Sequence, residues 1–587
     1  MHLGTSGLFP GFQKNTTQGG CVTEPIVSMK DVQYRYRGQK EYALDGVNLD
    51  LAKSEFLVLM GPSEAGKSTL AATINGLIPH FHKGKLKGDI IVLGQDTKQK
   101  TVAQMSEIVG MVFQDFEAQL FSTNVELEVA FGPENFAVER EEIKKRIDEN
   151  LNYVGLDAFR KRPPSTLSGG QKQKLAIASV LALKPTVLVM DEPTTDLDPI
   201  SKMGVFEITH RLCKRDDLTL LIVEHETEEA LFADRVALLK DGKLVKVGPT
   251  RDILSDVDLM ESLGVMPLGI PKFFKGIGLT ELPLTPDEGV KTFHDQNLKI
   301  SPLAYEALVN QEKTALAKLN KPLIACRNLE HTYPSGVKAL NDVSMTIYEG
   351  DMVAIIGQNG SGKTTLAKHF NGLLMPTAGE VDVNGLPTKD QGVFKLGQKV
   401  GYVFQNPDHQ IFSETIFDEV SFGPRLRKLP EDQIKGRVEE ALEAVGLAGM
   451  EKEDPFTLTK SGRQRVAVAA VLATKPEVLI LDEPTTGLDY KEQKSMMDMV
   501  RQLNENGSTI IFVTHHMWVV AEYAKRAIVM KDGKIILEGT TREVFSQGEA
   551  LRAAFLRPPH FVEFSARVGY TFLTPEEMVN SLEGVQR

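Results

Sequence analysis

An α/β fold of two tandem domains, each with a mostly parallel sheet as its core, is predicted for this 587-residue chain by two observations. One ordered set of motifs occurs twice, and in each copy apolar runs of strand length alternate with helix-forming segments. Such alternation implies parallel strand pairing, with ligands taken up at the carboxyl ends of the strands. The repeat has a defined spacing: Lys363 follows Lys67 by 296 residues, and from Gln114 and Gln405 onward the offset settles at 291, as it does for Gln173 and Gln464 and for Glu192 and Glu483. Length alone also argues for more than one core.

Each copy opens on alternating residues suited to a half-buried strand, as in Val32-Gln33-Tyr34-Arg35-Tyr36. Glu55 to Met60 and Met352 to Ile356 read as strands entering glycine-rich loops, and Leu70-Ala71-Ala72 and Leu366-Ala367-Lys368 as the helices that follow. Val187 to Met190 and Val478 to Leu481 read as buried strands ending in acid, and Leu218 to Val223 and Thr509 to Val513 as strands ending just before a histidine. A weaker repeat comes next, with Met266 to Glu288 resembling Arg557 to Glu577. It fits either a flap over a sheet edge or an appendage for dimerisation or docking. Pro302 to Leu319 predicts one helix leading to the second domain. The expected divisions are a disordered tail (1–23), a first domain (24–255), its flap and a linker (256–320), a second domain (321–545) and its flap (546–587).

The chemistry lies in short motifs. A Gly-x-x-x-x-Gly-Lys-Ser/Thr loop between strand and helix turns backbone N–H groups toward phosphate. Its members here are Gly61, Gly66, Lys67, Ser68 and Thr69, then Gly357, Asn359, Gly360, Gly362, Lys363, Thr364 and Thr365. The lysines suit β/γ-phosphates, and the Ser68 or Thr364 hydroxyl suits Mg²⁺. Asp191 and Asp482 can hold the same cation, directly or through water, and Gln114 and Gln405 can sense metal and water together. Glu192 and Glu483 are placed to polarise an attacking water, with His225 and His515 suited to that water or the γ-phosphate. Leu167-Ser168-Gly169-Gly170-Gln171 supplies a second cradle, since a serine and bare glycines at a helix N-terminus also receive phosphate.

With these motifs in this order, both halves resemble the nucleotide-binding subunits of ATP-binding cassette transporters, over about 27–255 and 323–545. The resemblance implies P-loop domains with an added antiparallel β subdomain and a helical subdomain, ATP and Mg²⁺ as ligands, and ATP hydrolysis. It implies head-to-tail pairing of the two cassettes within the chain, each ATP bound by one glycine-rich loop and capped by the opposite signature. It also assigns Tyr36 and Tyr333 as adenine platforms, and Thr195-Asp196-Leu197-Asp198 and Thr486-Gly487-Leu488-Asp489 as D-loops.

The two copies are unequal. Thr459, Lys460 and Ser461 stand where the first copy has Ser168, Gly169 and Gly170, and Glu64 stands opposite Gly360. A lysine side chain therefore occupies a position suited to bare backbone, and a carboxylate enters a phosphate loop. Under head-to-tail pairing both departures fall in one composite site, which retains Thr459 and Ser461 as candidate nucleotide contacts. The other site is intact and is expected to carry most turnover. Glu64 and Lys460 could also face one another and offset their charges.

After Gln405 comes Asn406-Pro407-Asp408-His409-Gln410-Ile411-Phe412-Ser413, and after Gln114 comes Asp115-Phe116-Glu117-Ala118-Gln119-Leu120-Phe121-Ser122. With Glu128 to Pro133 and Asp418 to Pro424, these stretches resemble the ATPase components of energy-coupling factor (ECF) transporters, which import vitamins and metal ions. The first copy lacks the Asn-Pro-Asp portion. The resemblance implies two kinds of partner, a membrane-embedded T component and a substrate-binding membrane subunit. Gln119, Phe121, Gln410 and Phe412 would line the groove for coupling helices. Location would then be cytoplasmic, peripheral on the inner face of the cell membrane through those partners.

Composition narrows the alternatives. Lys+Arg 67 against Asp+Glu 79 leaves a formal charge of -12, which argues against bulk nucleic-acid binding. The small basic run Lys83-Gly84-Lys85-Leu86-Lys87 reads as a solvated loop. A tandem ATPase acting on the ribosome would carry a long basic insert between cassettes, and a DNA-repair ATPase a coiled coil or zinc module between Gly61 and Leu167; neither is present, whereas a non-ECF importer ATPase shares the chemistry and differs only in partner. Cys21, Cys213 and Cys326 lack metal-ligand spacing and fit free thiols in a reducing compartment. No apolar run has membrane-crossing length, and the first twenty residues lack the apolar stretch of a signal peptide.

Overall fold

The computed structural model describes residues 24–194, 197, 199–215 and 218–584; the predicted tail and most of the first D-loop lie outside the described residues. Two copies of one plan appear. In the first, an antiparallel sheet of four strands sets Val27–Tyr36 between Leu44–Leu51 and Gly84–Val92, with Gln95–Asp96 at its edge. The main sheet has six strands, in the order Lys243–Pro249, Arg235–Lys240, Phe56–Met60, Thr219–Val223, Val187–Asp191, Val109–Val112. All its pairs are parallel except the outermost Arg235/Lys243 hairpin. The second copy repeats both sheets, with Met352–Gly357 between Thr509–Val513 and Arg526–Lys531.

Every residue of Phe56–Met60, Val187–Asp191 and Thr219–Val223 is buried, as continuous apolar runs require when both faces of a parallel sheet are covered. Register brings Asp191 opposite Val223 and Asp482 opposite Val513, so both acids sit at the carboxyl edge beside the glycine-rich loops. A helical layer stands outboard. Val125–Asn135 and Arg140–Val154 pack on Gly169–Leu181, and Ile416–Leu426 and Glu431–Ala444 pack on Lys460–Leu472.

One local expectation is corrected. The basic run at 83–87 forms the start of the strand Gly84–Val92, not a loop. Its backbone pairs with Gln33–Tyr36, which satisfies the N–H and C=O groups on that side while Lys85 and Lys87 alternate into solvent around half-buried Leu86.

The flaps meet each other. Gly269–Gly276 and Pro286–Asp295 from the first, with His560–Arg567 and Pro575–Asn580 from the second, enclose Ile270, Phe273, Phe274, Phe293, Phe561, Phe564 and Phe572. A β-carbon on Gly269 would lie 2.8 Å from that of Phe561, so the two helices approach over bare backbone. Each flap is also seated on its own cassette, through Leu268 and Leu284 in the first and Val562 and Leu573 in the second. Cross-links reach further. The His560 amide donates to Glu228 (2.8 Å), and Lys272 pairs with Glu576 (2.9 Å). The linker helix Pro302–Ala317 has no buried residue and is held at Glu312 by the buried guanidinium of Arg542 (2.8 Å), which also grips Glu577 (3.0 Å).

Candidate active sites

The two glycine-rich loops share a backbone. Gly66 and Gly362 take φ 100° and 102°, and a β-carbon there would lie 2.2 Å from the Ala43 carbonyl oxygen and 2.6 Å from that of Ala339. Only glycine fits both conditions. Lys67 Nζ donates to the carbonyls of Gly61 (3.0 Å) and Pro62 (2.8 Å), and Lys363 Nζ to those of Gly357 (2.8 Å) and Gln358 (3.0 Å). Burial lowers the Lys67 pKa, against the raising pull of Glu192 and Asp489. Glu64 keeps the left-handed backbone of its counterpart, φ 62° against 80° at Gly360. The space around Gly360 is open, so a side chain at that position meets no clash and only the backbone conformation is costly.

Beneath each loop a hydroxyl meets a carboxylate. Ser68 Oγ donates to Asp191 (3.1 Å) and Thr364 Oγ1 to Asp482 (3.1 Å). Burial raises both acids, Asp191 to about 6. Desolvated oxygens of this kind form a hard donor set that fits a divalent cation. Asp482 also accepts from Tyr402 Oη (2.7 Å), a residue that sequence reading missed because its counterpart in the first copy is Met111. Tyr36 and Tyr333 are half-buried, each hydroxyl bonded to the threonine after the loop hydroxyl, Thr69 (3.1 Å) and Thr365 (3.0 Å).

The acids that follow are held in strained backbone, φ 45° at Glu192 and 50° at Glu483. Their partners differ. Glu192 accepts from Gln114 Nε2 (2.8 Å) and lies 2.7 Å from His225 Nε2. Glu483 lies 2.9 Å from His515 Nδ1, with the Thr486 hydroxyl at 3.5 Å. Burial alone would raise Glu483, but the charge and hydrogen bond of His515 and the charge of Lys363 outweigh it and hold the carboxyl at about 2. A cavity of about 590 Å³ gathers Tyr333, Lys363, Thr364, Gln405, Glu483 and His515.

Ser168 caps its helix by accepting from the Gln171 amide (3.4 Å), while the Gln171 side chain accepts from the Ser168 amide (3.0 Å). Thr459 caps the second helix through the Gly462 amide (3.2 Å), with no reciprocal bond possible from a glycine. Lys460 lies over its own D-loop, its Nζ 2.4 Å from where a β-carbon on Gly487 would stand. The first copy has Gly169 and Asp196 at these positions, so size has been exchanged between signature and D-loop. The Glu64–Lys460 pairing that the sequence allows is not formed among the described residues. Burial raises the Glu492 pKa, with the charge of Asp489 and, least, that of Glu64 adding to it.

The halves touch at the loops themselves. The Ser63 amide donates to Asp489 (2.7 Å) and the Ser63 hydroxyl to Glu492 (3.1 Å), bonds that join the first phosphate loop to the second D-loop and the helix Tyr490–Glu505. Within the first copy, Lys202 pairs with Glu226, and Thr194 donates to Glu224 (2.7 Å). Sequence reading missed this cluster because its counterparts in the second copy, Gln493, His516 and Thr514, carry other chemistry.

In the stretch after Gln114 and after Gln405 an aromatic pair lies at the surface. Phe121 and Phe131 meet edge to face at 4.5 Å, and Phe412 and Phe422 at 4.9 Å. All four are exposed, by 62%, 44%, 61% and 48% in that order. Gln119 and Gln410 do not line this surface as expected. Their half-buried amides are engaged with backbone instead, accepting from the amides of Phe113 (3.3 Å) and Phe404 (3.2 Å) and donating to the carbonyls of Met111 (3.2 Å) and Ala467 (3.1 Å).

Twinned sheets, each closing a phosphate loop over a hydroxyl–carboxylate pair and a strained glutamate, define a nucleotide-hydrolysing device of two halves. The chain belongs to the ABC transporter family, whose model matches residues 44–195 and 340–486; a model of AAA domains also matches 461–521. It is 54% identical over 563 residues, 95% of this chain and 99% of the relative, to a protein of Caldanaerobacter subterraneus subsp. tengcongensis named as an ABC transporter ATP-binding protein. A Methanosarcina mazei protein of the same description is 38% identical over 92% of each chain. Among solved structures, cbiO1 from Clostridium perfringens, titled as part of the ABC transporter complex cbiONQ, is 38% identical over 40% of this chain and 94% of its own, with a TM-score of 0.37. The chain is thus an ATPase with two ATP-binding cassettes. No helix among the described residues is long and apolar enough to cross a membrane.

Proposed function

We propose that this chain is the energy-coupling ATPase of an ECF-type importer for a vitamin or metal ion, working on the inner face of the membrane through a T component and a substrate-binding subunit. The observation that carries this reading is the exposed phenylalanine pair beside the catalytic glutamine, present at the same place in both cassettes. Large exposed apolar groups that recur in a repeat favour a partner over solvent. Two such surfaces suit two coupling helices, one for each cassette.

ATP binding draws the halves together, each nucleotide held by one phosphate loop and capped by the opposite signature. The first-loop site pairs Glu64 with the Thr459-Lys460-Ser461 cap and turns over slowly. The second-loop site pairs Gly357–Thr364 with Ser168-Gly169-Gly170, and there Glu483 orients water while His515 meets the γ-phosphate. Ser68 with Asp191, and Thr364 with Asp482, are the oxygens that would hold Mg²⁺, with Gln114 and Gln405 alongside. Mg²⁺ would supply charge neutralisation for the β- and γ-phosphates. Closure compresses the two docking surfaces, and hydrolysis releases them, so differential binding becomes movement of the membrane partners.

The test is recovery of the full chain from solubilised membranes. Small integral membrane proteins should accompany it and be lost on Phe412→Ser with Phe422→Ser. Recovery with ribosomes, or without membrane partners, would overturn the transport reading.

A further inference from the structure

Each signature helix is tied to the loop after the catalytic glutamine by an ion pair. Glu117 Oε2 lies 2.8 Å from Lys172 Nζ, and Asp408 Oδ1 lies 2.6 Å from Arg463 Nε. Lys172 and Arg463 are the fourth residues of their helices, Gly169–Leu181 and Lys460–Leu472. The acids stand four residues before the exposed Phe121 and Phe412. The basic side chains are largely covered, 17% and 21% exposed, while the acids reach solvent at 56% and 46%.

The two copies serve as each other's control. All four residues differ between them, Glu with Lys in one and Asp with Arg in the other, and the residue before the acid changes from Phe116 to Pro407. The signature itself has diverged from Ser168-Gly169-Gly170 to Thr459-Lys460-Ser461. Opposite charge and direct contact survive these changes. A pair whose acid stands in solvent contributes little to fold stability, so its retention points to alignment.

We propose that Glu117 and Asp408 are positioning residues, each acting through its basic partner to set the first turn of the signature helix from the docking loop. The inference rests on the reading above, in which each signature caps the nucleotide of the opposite cassette. Glu117 then acts on the second-loop site and Asp408 on the first. A coupling helix pressing on Phe121 or Phe412 would shift the short turn that bears the acid, and the pair would carry that shift to the cap.

ATPase activity of the full chain as a function of ATP concentration tests this without any membrane partner. Glu117→Gln and Lys172→Gln should each raise the KM for ATP by roughly two- to five-fold, the range an exposed pair commands. The kcat should change less than the KM, and the melting temperature should stay at that of the parent. Glu117→Lys combined with Lys172→Glu should restore most of the KM. Glu141→Gln, which breaks the exposed pair with Lys144 (2.9 Å) far from both sites, serves as the control and should leave KM as it was. Single variants with the parental KM, or a charge swap no better than the singles, would overturn the proposal. Ser168→Ala separates the two levels: if it too leaves KM unchanged, the capping reading fails, and if it alone raises KM, only the positioning role fails.

Discussion

At the scale of single residues, the two cassettes share every candidate catalytic type and differ in how those residues are held. Glu192 and Glu483 both occupy left-handed backbone, a conformation costly for a side chain and retained where the surroundings enforce it. Glu192 is bonded to both Gln114 and His225, whereas Glu483 meets His515 and leaves Gln405 on the cavity wall. Glu483→Gln is expected to lower steady-state ATP turnover about 100-fold or more, the scale of losing a positioned base, and Glu192→Gln by less than about five-fold. Equal losses in that assay would refute the unequal division of labour. These residues were legible in the sequence because phosphate loops and strand-end acids tolerate few side chains at fixed spacing. Tyr402 was not. Its bond to Asp482 depends on the register of Val400–Val403 against Val478–Asp482, which no local pattern reports.

Single elements show where pattern reading stops. The stretch after each glutamine was legible as distinctive, but Gln119 and Gln410 were expected on its surface and instead bond to nearby backbone. What orders the loop is an acid one turn into the next helix. Glu128 accepts from the amides of Phe121 (3.1 Å) and Ser122 (2.7 Å), and Glu419 from those of Phe412 (3.0 Å) and Ser413 (2.9 Å). Both carboxylates are almost fully buried, and each presents its neighbouring phenylalanine outward by pinning the backbone behind it. Hydrogen bonds to a charged acceptor are worth about 1.5–3 kcal/mol. Glu128→Ala should therefore speed hydrogen exchange at the Phe121 and Ser122 amides by roughly ten- to a hundred-fold, with Glu128→Gln in between. Unchanged protection at these amides would show that the acid does not order the loop. The second copy offers the same test at Glu419, with Phe412 and Ser413 as reporters.

At the scale of the whole molecule, the duplication was readable from constant offsets, whereas the way the halves are joined was not. The flap helices appear in sequence only as scattered apolar residues, and both a sheet cover and a dimerisation surface were consistent with them. In three dimensions each flap has one apolar face on its own cassette and a second on its twin, so the two flaps dock on one another. Phe564 is fully buried at the centre of the joint, with Phe273 and Phe274 at 5.8 and 5.7 Å and Phe561 and Phe293 at 6.0 and 6.3 Å. Removing such a ring costs about 3–5 kcal/mol, and here the loss falls on the contact between halves. The joint also keeps each cassette at high effective concentration for the other. A protease site inserted at the exposed Asn320–Lys321 junction would sever the connection without disturbing either core. The cut halves of the parent chain should then co-elute in size-exclusion chromatography without nucleotide, and those carrying Phe564→Ala should separate. Co-elution of the variant halves would move the burden of association to the polar contacts, where Ser63 meets Asp489 and Glu492 and Arg542 holds Glu312.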